Sequence, residues 1–177
     1  MHIVIGLITA IAGFIWALYS LQKAGFDLNA LNPFAWARRR KWQKQLGVKP
    51  IHALHDSMEA AALLVISIAK AEGEITRETK MEILELFENE FGISRSKAIS
   101  LFSASTFMLK DTINIDAEVA QILSPSKSDF DESHALKLVE MMTLVATKEN
   151  EATTNQQSII SAVVKEFKLN EEKAAKW

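Results

Sequence analysis

Between Ile51 and Phe167, apolar residues recur at the three- and four-residue intervals that put one face of an α-helix against a core. Ile51, Leu54, Met58, Ala61, Val65, Ile68 and Ala69 keep this period and predict one long amphipathic helix from Ile51 to Ala71, stopped at Gly73. Thr76 is placed to cap a second helix with Met81, Leu84, Phe87 and Phe91 inward and Gly92 closing it. Ser94 caps a third carrying Ala98, Leu101, Phe102 and Ser105, and Ile115, Val119, Ile122 and Leu123 make a short fourth before Pro125. After a loop at 124–128, Asp129-Phe130-Asp131-Glu132 reads as a D-x-x-E capping box opening a fifth helix with Leu138, Val139, Met142 and Val145 inward. Ile159, Ile160, Val163, Val164 and Phe167 give a sixth, and Asn170 is placed to cap a last turn. The expected fold is all-α, a bundle of six or seven helices over residues 50–177.

The pattern changes at the N-terminus. Ile3 to Leu21 is 19 residues without a charge, and at ~1.5 Å per residue it reaches roughly 28 Å, close to the ~30 Å hydrocarbon core of a bilayer. Met1-His2 offers no basic n-region and Ala17-Leu18-Tyr19-Ser20 no A-x-A cleavage pattern, so the stretch reads as a retained single transmembrane anchor over 1–22 rather than a signal peptide. Gly6, Ala10, Gly13 and Ala17 share one helical face of it. Such a stripe fits a homodimer through the membrane helix, and it fits equally well the ordinary abundance of Gly and Ala in membrane helices.

Charge divides the chain at the next boundary. Lys23 to Lys49 carries seven basic residues and one acid, a net +6, whereas Pro50 to Trp177 carries 13 basic and 21 acidic residues, a net −8. In the basic segment, 23–49, Phe34, Trp36 and Trp42 interleave with Arg38, Arg39, Arg40 and Lys41. Aromatic rings favour the headgroup level and each basic side chain gains about 1 kcal/mol near anionic lipid, so this segment is expected along the membrane surface. The positive-inside rule then places the N-terminus outside and the soluble domain in the cytoplasm, at the inner membrane of a bacterium. A nucleic-acid partner is the competing reading of the same residues, and tethering beside a membrane helix counts against it.

Cysteine is absent, which removes disulfides, thiol nucleophiles and thiolate metal sites. The four histidines stand without G-x-S-x-G, H-E-x-x-H or a glycine-rich phosphate loop, so no enzyme is expected. Met58, Met81, Met108, Met141 and Met142 fall within the patterned helices and read as core filler. Oxygen ligands remain. Asp56 and Glu59, with Glu72, Glu74, Glu149 and Glu151, are a candidate site for Ca²⁺ or Mg²⁺, the other reading being a solvated acidic face; no cofactor is certain.

Glu72 and Glu74 belong to the turn Ala69-Lys-Ala-Glu-Gly-Glu-Ile75, which returns faintly as Ala146-Thr-Lys-Glu-Asn-Glu-Ala152. With a one-residue deletion, Phe91, Ile93, Ser94 and Lys97 meet Phe167, Leu169, Asn170 and Lys173. This predicts a weak internal pseudo-twofold repeat of helical hairpins, with Asn150 taking the left-handed conformation in place of Gly73. Asp56 and Glu59, followed by Ala71-Glu72-Gly73-Glu74-Ile75, resemble the TerB family of tellurite-resistance-associated helical domains, with its acidic D-x-x-E helix and A-D-G-x-I turn. With an anchor and basic linker in front, the architecture is also similar to the N-terminal part of DjlA-type membrane-anchored co-chaperones, but no J-domain and no His-Pro-Asp tripeptide is present. The resemblance implies a membrane-held stress-response module that recruits an unknown cytoplasmic protein. If the small-residue stripe is a dimer face, Gly13→Leu abolishes self-association in a membrane-helix association assay, and undiminished association removes that reading.

Overall fold

Nine consecutive residues, Ala60 to Ile68, are buried from solvent on every side of one helix, and the other elements are arranged around them. The computed structural model describes Gly13, Trp16 and residues 49–148 and 150–169. Among these residues the secondary structure is helical without a strand: α1 Ser57–Lys70, α2 Arg77–Phe91, α3 Arg95–Met108, α4 Ile115–Leu123, α5 Glu132–Ala146 and α6 Thr154–Phe167. Short 3-10 turns lie at Pro50–His52, Leu109–Asp111 and Lys127–Asp129. Helix α1 packs against α2, α3, α4 and α5, while α6 closes the bundle against α4 and α5. A helix apolar all round has to be interior, and α1 is. Ala60, Ala61 and Ala62 let neighbouring backbones approach, and Leu63, Leu64, Ile66 and Ile68 fill the space between them. Its one polar interior group, Ser67, donates its hydroxyl to the Leu64 carbonyl at 2.6 Å and so leaves nothing unpaired.

The first helix is shorter than its periodicity predicts. Ile51 and Leu54 are buried in the core, but they lie in a 3-10 turn and an extended approach; helix begins only where the Asp56 carboxylate accepts the Met58 N–H at 2.8 Å. Apolar spacing there reports burial and not helix. A second correction concerns α5, whose cap is Asp131 and not Asp129. The turn at Lys127–Asp129 leaves Phe130 extended with its ring 5.0 Å from that of Phe167, so helix starts two residues later, with Asp131 accepting the His134 N–H at 2.7 Å.

Two hairpins, α1–α2 and α5–α6, share their punctuation. Their first helices begin at Asp56 and Asp131 and their second at Thr76 and Thr153, and the second helices end with left-handed residues at Gly92 (φ 61°) and Lys168 (φ 53°). Lys168 closes α6 as a Schellman turn, its own N–H reaching the Lys165 carbonyl at 3.1 Å and that of Leu169 the Val164 carbonyl at 3.0 Å. Gly73 has φ 125° in the first turn, whereas the left-handed conformation expected at Asn150 in the second depends on Glu149, which lies outside the described residues.

No helix among the described residues is long and apolar enough to cross a membrane. The expected anchor, its dimer face at Gly6, Ala10 and Ala17, and the basic aromatic segment lie outside the described residues; Gly13 itself is helical. The core assignment is testable at α1. Leu64→Ala opens a cavity where no side of the helix can relax toward water, and is expected to destabilise the domain by about 2–5 kcal/mol, read from the urea midpoint; a loss below about 1 kcal/mol would show that α1 is not enclosed.

Candidate functional site

Helices α1 and α5 end on the same side of the bundle, and this brings the two similar turns together. Glu72, Glu74, Ile75, Thr76 and Thr79 from the first and Val145, Ala146, Lys148, Asn150 and Gln156 from the second line a shared depression of about 210 Å³. Gln156 joins the two. Its side-chain NH₂ donates to the Ile68 carbonyl at the end of α1 at 3.1 Å, while its side-chain oxygen accepts the Thr153 N–H at 2.9 Å and completes a capping box on α6. The residue is 2% exposed, and its bond to the Ile68 carbonyl is made out of water.

The expected cation ligands do not meet there. Asp56 and Glu59 sit at the N-terminal end of α1 and Glu72 and Glu74 just beyond its C-terminal end, separated by a helix of 14 residues, about 21 Å at 1.5 Å per residue. One ion cannot bridge that length. Asp56 is also committed to capping α1. Glu72, Glu74 and Glu151 are exposed at the turn end, Lys148 lines the same depression and pairs with Glu82, and Glu149 lies outside the described residues. Among the described residues no three Asp, Glu or His side chains gather in a way that could hold a metal.

At the domain entrance, Lys49 and His52 both reach Glu118 on α4. The Lys49 ammonium pairs with one carboxylate oxygen, and His52 Nε2 lies 2.5 Å from the other. The Lys49 hydrogen bond is the largest influence on Glu118 and pulls its carboxyl below the ordinary carboxylate value; burial opposes it, and the His52 hydrogen bond adds to it.

A third feature is apolar. Ser57, Met58 and Ala61 of α1, Glu90 and Phe91 of α2, Phe130, and His134, Lys137, Leu138 and Met141 of α5 form a groove of about 230 Å³. Phe91 stacks on Phe87 at 5.1 Å between ring centroids, which fixes one wall, and the Phe130–Phe167 contact fixes another. Lys137 spans the rim, 3.0 Å from both Glu90 and Glu140, and these two carboxylates raise its pKa above the ordinary lysine value.

The family description "Tellurite resistance protein TerB" matches residues 58–177, well over half of the chain. The chain belongs to the TerB family. It is a tellurite-resistance-related helical module, all-α as its periodicity predicts. Searches of curated proteins and of solved structures returned no significant match.

Three long-range connections in this TerB chain escape a reading of the sequence. Gln156 was legible, since Thr153-x-x-Gln156 is a capping-box spacing, but its reach to Ile68 across 88 residues was not. Nothing local ties Lys49 and His52 to Glu118, nor Phe91 to Met141, because both are made by packing between distant helices. His134, exposed and 3.3 Å from Asp131 through Nδ1, serves the start of α5.

Gln156→Ala strips a partner from the buried Ile68 carbonyl and from the part-buried Thr153 N–H and is expected to cost about 1–3 kcal/mol, visible as a lower unfolding midpoint; a native midpoint would mean the amide bridge is idle. Glu118 gives a pH dependence of definite sign. Its carboxyl is depressed in the folded state, so the ion pair's contribution is present above the unfolded value and is lost as pH falls through the folded one. The stability difference between the native chain and Glu118→Gln is therefore expected to be present at neutral pH and to shrink as pH falls below the ordinary carboxylate value of 4.5. A difference that grows on acidification contradicts the assignment.

Proposed function

We propose that this TerB chain is a non-catalytic interaction module, held at the cytoplasmic face of a bacterial inner membrane and recruiting a cytoplasmic protein during tellurite or envelope stress. The carrying observation is the groove between α1, α2 and α5, where Met58, Phe91 and Phe130 remain only partly covered at the edge of an otherwise well-packed core. A module that docks a partner needs such a surface, and a binding groove with apolar walls and a few charged groups at its rim is the usual form. The uncharged run from Ile3 to Leu21 and the net +6 of Lys23 to Lys49 support the membrane part of the reading, and the similarity to the anchored, N-terminal part of DjlA-type co-chaperones supports the adaptor part. The pairing of His52 with Glu118 and of His134 with Asp131 gives both histidines structural work and supports a role without catalysis.

A photo-reactive residue at Met58 in the full chain, expressed in native membranes, tests this directly. The expected result is a discrete protein adduct in a fraction that resists carbonate extraction. Recovery of the chain in the soluble fraction, or adducts with lipid alone, overturns the reading.

A further inference from the structure

Charge at the groove is unevenly matched. Among the described residues Lys137 is the one lysine or arginine lining it, and that ammonium already faces two carboxylates, Glu90 and Glu140. At the neighbouring helix starts stand Asp56, Glu59, Asp131 and Glu132, with His134 beside Asp131. Glu90 and Lys137 line the groove, and Glu140, paired with Lys137, and Asp131, beside His134, adjoin it; these three carboxylates against one ammonium leave −2 around the groove, within a domain of net −8. Below the rim the walls are Met58, Ala61, Phe91, Phe130, Leu138 and Met141. Thioether side chains repack around differently shaped apolar groups with little cost, and two of them, Met58 and Met141, line this groove.

An anionic rim over a methionine and phenylalanine floor discriminates between ligands by chemistry. An acidic or phosphorylated peptide meets like charge there, and an anionic lipid surface does too. A segment with basic residues flanking an aromatic or aliphatic anchor meets opposite charge at the edge and apolar surface at the centre.

We propose that the groove bounded by Met58, Phe91, Phe130 and Met141 binds a basic amphipathic peptide segment of a partner protein, with one large apolar side chain inserted and its Lys or Arg side chains set against Glu90, Glu140 and Asp131. This specifies the partner's chemistry for the docking role proposed above and rests on that role.

The test uses the full chain in neutral detergent, its methionines carrying ¹³C-labelled methyl groups, and two synthetic 18-residue amphipathic peptides with identical leucine positions and a central tryptophan. One has lysine and the other glutamate at every polar position. The lysine peptide is expected to shift the methyl signals of Met58 and Met141 and leave that of Met108 in place. Its affinity is expected to fall with added salt and by about tenfold in Glu90→Lys, a change at the half-exposed rim that leaves the core untouched. Met58→Glu, also outside the fully buried core, is expected to remove binding. Equal binding of the glutamate peptide, or no shift at Met58 and Met141, overturns the inference; a protein adduct at Met58 in native membranes would then still stand, so the two failures are distinguishable. If replacing Arg38, Arg39, Arg40 and Lys41 by Gln shifts the same two methyls without any peptide, the groove's occupant is the chain's own basic segment, and the partner-peptide inference is overturned.

Discussion

Enclosing a helix on all sides imposes a condition on every element that touches it. Residues 60 to 68 of α1 have no solvent-facing position, so α2, α3, α4 and α5 must each present an apolar stripe to it, and α6 then covers what α4 and α5 leave open. Leu63, Leu64, Ile66 and Ile68 contribute about 1.5–3 kcal/mol each by leaving water, an upper figure because unfolded chains already hide part of this surface. The same condition leaves two depressions at the ends of α1. The apolar groove lies at its N-terminal end and the two acidic turns beyond its C-terminal end.

That separation decides between the candidate sites. Carboxylates that a reading along the chain collects into one cation site stand at opposite ends of a buried rod. At the turn end, the strongest connection is an uncharged amide, Gln156, between the Ile68 carbonyl and the Thr153 N–H. Lys148 adds a cation to the same depression and is itself paired with Glu82. The charged groups at the groove end are instead arranged around an apolar floor, the arrangement on which the proposed docking role rests.

Local signals carried much of the architecture. Thr76, Ser94 and Gly92 mark helix limits in the structure as they do in the sequence, since a hydroxyl accepting a backbone N–H and a glycine in the left-handed region act within a few residues. The misreadings occur where tertiary packing overrides local pattern. Ile51 and Leu54 keep helical spacing yet are buried from a turn and an extended stretch, and the contact between Phe130 and Phe167 delays α5 until Asp131. Lys168 ends α6 in a conformation usually reserved for glycine, so no composition signal announces it. Of the site, the two turns and their acids were legible, whereas the groove was not, because its walls come from three helices and an intervening phenylalanine.

The buried amide of Gln156 also bears on the order in which this chain becomes structured. It completes the end of α1 from a position 88 residues further along, and α5, which covers another side of α1, is likewise made late. During synthesis the most water-averse helix of the bundle therefore emerges before the others and finds its last partners only when the second hairpin has left the ribosome. Contacts of such long sequence separation slow folding and prolong the exposure of apolar surface. The stretch from Ala60 to Ile68 is thus the centre of the finished domain and the segment most dependent on rapid completion of the rest.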